Sequence, residues 1–203
     1  ILMKSVFDFI VKPLGKRYNN TIQIGDIELV LNTKVESYKF VNNFAEVVAT
    51  PLAYKTPIKK GDIIVIHHNV FRRWYNIRGE QKDSRSFFKD DLYFVSEDQI
   101  YLYSNGNAFK SFGDRCFVSP IKNKNVLDNK KEQSLVGILK IGNSSLEALG
   151  INPGDVVGYK PFSEYDFVIN KERLYCMKSN DIVIKYEHEK NQAEYNPSWA
   201  KSS

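Results

Sequence analysis

The chain has 203 residues, enough for two small domains or one of moderate size, and 42% of them are hydrophobic and 26% charged. That is the balance of a folded globular protein and not of a disordered one. A net charge of +5 is too modest to imply a nucleic-acid partner by itself, and no apolar run approaches the roughly 20 residues of a membrane helix.

Taken in order, Ile1-Leu2-Met3-Lys4 is too short for a signal peptide, with Met3 as the expected start. Val6 to Val11 alternates β-branched and aromatic residues, and Pro13 stops it, which predicts a first strand. A long polar connection from Gly15 to about Phe44 follows. Inside it Thr21–Ile24 and Ile27–Leu31 flank Gly25-Asp26, the pattern of a β-hairpin. So long an insertion between short strands is uncommon and often functional.

Ala45 to Thr50 is the next expected strand, and Ile58-Lys59-Lys60-Gly61-Asp62 turns the chain into the strand Ile63 to His67. His68 to Phe88 reads as a loop with a local basic excess: Arg72, Arg73, Arg78, Lys82, Arg85 and, just beyond, Lys89, opposed by Glu80 and Asp83. Leu92–Val95 and Gln99–Tyr103 complete this half. Ser104 to Asp114 is either a hairpin or a link, with the boundary placed near Gly113. The one convincing helical turn is Ser144–Leu149, with Ser at the cap and Gly150 at the stop. The last residues, from Glu187, are polar and without period, and a frayed tail is the expected reading. The chain is therefore read as mainly β, with domains at 1–112 and 113–187 and a tail at 188–203.

Four blocks recur in the same order. Phe9–Leu14 answers Cys116–Ile121, and Ala45–Val48 answers Val136–Leu139. Ile58–Val65 answers Ile151–Gly158, and Leu92–Ile100 answers Leu174–Ile182. Four collinear blocks make an internal repeat the better reading than chance. In each Gly-Asp turn, glycine permits positive φ and Asp can bond neighbouring backbone amides.

With these blocks in place, each half resembles the GroES-like co-chaperonin family. Ile10-Val11-Lys12-Pro13-Leu14, the two Gly-Asp turns, Ser96-Glu97-Asp98-Gln99-Ile100 and Ser179-Asn180-Asp181-Ile182 carry the likeness over roughly 180 residues. The wording of Arg17–Asn20 and His67–Trp74 is similar to co-chaperonin-like proteins of marine tailed bacteriophages. The resemblance implies two tandem GroES-like partly open β-barrels and a homo-oligomeric ring that caps a chaperonin. It also implies a mobile loop whose apolar strip grips that partner, here Ile27, Leu29, Val30 and Leu31. A phage-encoded co-chaperonin in the host cytoplasm is the first expectation. The ordered grammar at Gly25-Asp26, and a second-half loop whose apolar pair is only Val126-Leu127, support another: a virion component using the fold for capsid or tail contacts.

Other candidates are weighed from the residues alone. Phe71, Arg72, Arg73 and Trp74 form a candidate partner-binding loop, and Tyr195 and Trp199 could anchor on a neighbouring subunit. For the former, packing of the aromatics with arginines paired to nearby acids is preferred over base stacking, so nucleic acid is not an expected partner. His67 and His68, if on a strand, point to opposite faces, and no metal set is signalled with the remote His188. Cys116 and Cys176 provide no disulfide framework and read as small buried hydrophobes of a reducing cytoplasm. Neither has a placed base that would make it a nucleophile. No catalytic group, cofactor or membrane contact is expected.

Overall fold

The computed structural model describes residues 4–18, 21–24, 27–30, 41–124, 131–187 and 192–201. The chain is mainly β, its sheets are antiparallel, and none closes on itself among the described residues. It divides into two compact units, 1–109 and 110–203.

The first unit contains β1 (Phe9–Pro13), β2 (Thr21–Ile24), β3 (Ile27–Val30), β4 (Phe44–Ala49), β5 (Ile63–Ile66), β6 (Arg73–Tyr75), β7 (Gln81–Asp83), β8 (Phe87–Lys89), β9 (Leu92–Val95) and β10 (Ile100–Ser104). A two-residue strand, β11 (Lys110–Ser111), opens the second unit. It is followed by β12 (Arg115–Lys122), β13 (Glu132–Ile141), helix α1 (Ser144–Ala148), β14 (Val156–Tyr159), β15 (Tyr165–Ile169), β16 (Glu172–Lys178), β17 (Ile182–Tyr186) and α2 (Ser198–Lys201).

In the first unit the strands neighbour one another in the order β10-β5-β4-β1-β9-β8, and in the second β17-β14-β13-β12-β16-β15. The two orders correspond position for position. Two of their irregularities correspond as well. Val48 bulges from β4 between the Ile10↔Ala49 and Val11↔Val47 pairs, as Lys140 does from β13 between Phe117↔Ile141 and Val118↔Leu139. Tyr101 and Val183 are the extra residues of β10 and β17. A bulge bends its strand and increases the local twist, so matching bulges bend both sheets at matching places.

The Gly-Asp turns match atom for atom. The Gly61 N–H donates to the Val47 carbonyl (2.8 Å) and the Gly154 N–H to the Leu139 carbonyl (2.8 Å). Asp62 and Asp155 each accept, through Oδ2, from the backbone N–H three residues earlier, Lys59 and Asn152, at 2.8 Å. Gly61 and Gly154 have φ of +90° and +95°, a region glycine enters without steric cost. These bonds correct the sequence register at one block: Val47, and not Val48, stands where Leu139 stands. Both equivalent residues are fully buried, and a one-residue slip would have turned each to the opposite face.

Burial follows the ladders. Phe9, Val11, Val47, Ile64, Ile66, Phe71, Tyr93 and Leu102 fill the first core. Cys116, Val118, Leu139, Leu146, Val157, Tyr159, Tyr175 and Met177 fill the second, and each such aliphatic side chain contributes roughly 1.5–3 kcal/mol by leaving water. The helix α1 seats Leu146 in that core. Its cap is Asn143, whose Oδ1 accepts from the Leu146 N–H at 3.1 Å, and not the serine expected from sequence. Two corresponding strands differ: β10 is mostly buried, whereas β17, at the edge of its sheet, exposes Val183 and Ile184. Among the described residues no helix is long and apolar enough to cross a membrane.

Candidate partner-binding surface

The long insertion leaves the first sheet after β1 and returns before β4, and its two ends are stitched together. The Leu14 N–H donates to the Phe44 carbonyl (3.0 Å), and the Asn42 N–H to the Arg17 carbonyl (3.0 Å). The Asn42 side-chain amide donates to the carbonyls of Leu14 (2.8 Å) and Lys16 (2.9 Å). Tyr18 and Val41 form an antiparallel bridge. Asn42 is buried, and these contacts satisfy amide groups that would otherwise cost free energy in the interior. Within the insertion β2 and β3 pair as a hairpin, Thr21↔Val30 through Ile24↔Ile27. Of the proposed apolar strip, Ile27, Leu29 and Val30 lie on β3; Leu31, the Gly25-Asp26 turn, Val126, Leu127 and His188 lie outside the described residues.

The stretch expected to be a loop after His68 is instead a short 3₁₀ turn (His68–Val70) followed by a second hairpin, β6 with β7, and the edge strand β8. Phe71 is wholly buried and meets Tyr93 edge-to-face at 4.8 Å, so it is a core residue and not a contact one. Trp74 and Tyr75 are about half exposed and Ile77 wholly so. Arg72 is exposed and, with Asn69, Trp74 and Ser84, lines a shallow groove. Arg72, Arg78 and Arg85 make no ion pair among the described residues. The hairpin thus presents aromatic and cationic side chains together, while its two acids are engaged: Glu80 by Lys82 (3.1 Å) and Asp83 by Arg17.

Arg17 is the residue that sequence reasoning passed over. Its side chain is only 9% exposed. The Nε donates to the Phe71 carbonyl at 2.7 Å, Nη1 donates to Asp83 Oδ1 at 2.7 Å, and the guanidinium lies 5.0 Å from the centre of the Tyr93 ring. Beside it the Arg73 N–H donates to the Tyr18 hydroxyl, and Arg73 lies over the Tyr18 ring. Arg17 Nη2 is buried without a hydrogen-bond partner, at a desolvation cost of roughly 1–3 kcal/mol; Arg73 Nε, also without a hydrogen bond, lies 3.9 Å from the Asp83 carboxylate. Burial dominates the rise of the Tyr93 hydroxyl above the usual phenol range.

His67 and His68 do not alternate across a strand. β5 ends at Ile66, His67 caps the 3₁₀ turn by accepting from the Asn69 N–H (3.1 Å), and the two rings stack at 4.2 Å. Burial, then His67 and Arg72, push the His68 imidazole down to about 4. Among the described residues no cluster of three or more His, Cys, Asp or Glu is arranged to hold a metal. Burial pushes both Cys116 and Cys176 up to about 12, away from thiolate chemistry.

Tyr195 and Trp199 belong to the second unit, and residues 192–201 are not frayed. Ile121 and Glu194 form a bridge, the Lys122 N–H donates to the Ala193 carbonyl and the Tyr195 N–H to that of Pro120, both at 2.8 Å. The backbone ladder, not any apolar period, docks this segment, which is why composition gave no sign of it. Arg173 completes the attachment. It donates to Glu132 (2.9 Å) and Asp166 (2.9 and 3.3 Å), and its guanidinium faces the rings of Tyr175 (4.9 Å) and Trp199 (5.8 Å). The Tyr175 hydroxyl donates to Glu132 at 2.6 Å; burial, and then that bond, raise it above the phenol range. Trp199 keeps about half its surface in water, and Tyr195 lines an open groove with Tyr159 and Phe162.

The structure therefore brings the root of the insertion and the Phe71–Trp74 stretch together through Arg17, while Tyr195 and Trp199 belong to the other unit. One signal for the missed arginines was present: Tyr93 and Tyr175 hold the same place in the repeated Leu-Tyr blocks, and each carries a guanidinium. No protein-family model matches the chain, and no curated protein matches it.

Proposed function

We propose that the chain is a phage-encoded, co-chaperonin-like assembly protein. On this reading it consists of two tandem, duplicated GroES-like partly open barrels and acts by binding a host or phage chaperonin to assist folding of phage proteins. The observation that carries the reading is the shared strand order of the two units, with matched bulges and Gly-Asp turns, combined with a longer insertion between the first two paired strands in the first unit than in the second. Ile27, Leu29, Val30 and Leu31 are its proposed grip, and Arg72, Trp74 and Ile77 of the neighbouring hairpin a second contact. A flexible or hairpin-borne apolar strip can seat in a hydrophobic groove at an ordering cost that keeps binding reversible. Homo-oligomerisation is part of the proposal, and the exposed Val6, Phe7 and Leu52, with Val183 and Ile184 on an edge strand, supply apolar surface for it.

A second reading, a virion component that uses the same fold for capsid or tail contacts, is favoured by one observation: β2 and β3 are paired, as an ordered arm would be. Affinity capture of chaperonin with and without ATP or ADP separates the two. The co-chaperonin reading expects a nucleotide-dependent complex that Leu29→Ser and Leu31→Ser weaken at least tenfold. No complex with the wild-type chain, together with its recovery from purified particles by mass spectrometry, would establish the second reading instead.

A further inference from the structure

We propose that Arg17 is a latch that couples the insertion to the β6–β7 hairpin, so that displacing either arm loosens the other. It deepens the function proposed above by stating how two contact arms are held, yet it depends on residues of this chain alone.

Arg17 is anchored in two elements at once. Its backbone belongs to the neck of the insertion, where its carbonyl accepts from Asn42. Its side chain belongs to the hairpin, bonded to the Phe71 carbonyl at the root of β6 and to Asp83 at the end of β7. Tyr18, the next residue, repeats the crossing by accepting from the Arg73 N–H. Ser84 seals the same root by donating to the Val70 carbonyl at 2.5 Å. The β6–β7 ladder itself is only three residue pairs long, with Arg73↔Asp83 at its open end, farthest from the turn. A hairpin so short is marginal in water without a packing partner, and its anchoring pair is the one Arg17 holds.

Two features mark the latch as able to open. The Arg17 Nη2 donor is left without a hydrogen bond in the closed state, and Arg73 Nε has only a 3.9 Å ion pair with Asp83; opening returns both to water. The carboxylate between them is one-third exposed, so water can replace Arg17 there. A partner that seats on Trp74 and Ile77 and shifts the hairpin would therefore release the neck, and a partner that pulls the insertion would release the hairpin.

Amide hydrogen exchange on the full chain tests this without any partner, so the latch and the proposed function can fail separately. Arg17→Met keeps the aliphatic stem against Tyr93 and removes the donors. It should accelerate exchange at least tenfold at Leu14, Asn42 and Phe44 in the neck and at β6–β7, with the β1–β9 and β5–β10 ladders unchanged. Asp83→Asn, a change confined to the hairpin, should accelerate the neck amides severalfold. Neck amides at wild-type rates in Asp83→Asn would overturn the latch. Equal acceleration throughout the sheet in Arg17→Met would also overturn it, showing a general structural role. If Arg17→Met does not fold, the Asp83→Asn result decides alone.

Discussion

Arg17 and Arg173 lie at nearly the same height above tyrosines that occupy the same ladder position, 5.0 Å over Tyr93 and 4.9 Å over Tyr175. They reach those rings from different parts of the chain. Arg17 comes from the neck of an insertion and grips a hairpin, whereas Arg173 stands on β16 itself and meets Trp199 of the C-terminal segment. Each unit thus uses an aromatic seat on a constant ladder to fasten an element that the other unit lacks. The ladder carries the fold, and the fastened elements carry the difference between the units.

The sharpest way to break that equivalence is at the position filled by Ala45 in β4 and Gly137 in β13. Both face the first strand of their sheet, but a Cβ on Gly137 would meet Val118 Cγ1 at 2.3 Å and the Ser119 carbonyl at 2.6 Å. Gly137→Ala should cost the second unit about 3 kcal/mol, because backbone and not a flexible tip must move, and Ala45→Gly should cost the first about 1 kcal/mol. Denaturant titration of the two variants checks the asymmetry; equal losses would mean that the two ladders are packed alike at this point.

A smaller effect is expected at the fastening. Arg173→Met should cost about 2 kcal/mol, from charge-assisted bonds to Glu132 and Asp166 lost at a site largely removed from water. It should also open residues 192–201 to protease while the first unit keeps its cleavage pattern. Limited proteolysis followed by mass spectrometry reads both at once.

The smallest difference is a pH response confined to the first unit. His68 has its folded value depressed to about 4 from an ordinary 6.5, so the unfolded chain binds the proton first. The stabilising contribution of the neutral ring is complete above pH 6.5 and is lost as pH falls from there towards 4. Because the ring is partly exposed, screening reduces the loss to about 1 kcal/mol. Unfolding curves for wild type and His68→Gln should separate across this window and run parallel above it; parallel curves throughout would remove His68 from the account.

Much of the ladder could be read from residues. Proline stops, Gly-Asp turns and β-branched runs are local signals, and they located β1, β4, β5, β9 and β10 and their counterparts in the second unit, but not β6, β7, β8 or β15. The register of β4 against β13 could not be read, because Val47-Val48 and Ile138-Leu139 are apolar at both positions and the bulges at Val48 and Lys140 hide the phase. The candidate surface was half legible. The basic and aromatic content around Trp74 was plain, but the burial of Phe71 depends on Tyr93, and the Arg17–Asp83 pair spans 66 positions. The docked C-terminal segment was illegible for a different reason: it is held by main-chain bonds to β12 and by polar side-chain contacts of Glu194 and Asn196 with residues distant in the chain, neither of which leaves an apolar period.

The stitched neck has a consequence for how this chain can change. Because Leu14, Arg17, Asn42 and Phe44 fix the two ends beside each other, whatever lies between them closes a circuit whose ends are already joined. The entropy of closing such a circuit grows only logarithmically, by about 0.6 kcal/mol for each doubling of its length. Residues 19–40 can therefore be lengthened, shortened or exchanged with little burden on the sheet beneath. The first unit is in that sense a socket, into which different arms can be plugged while the ladder stays the same.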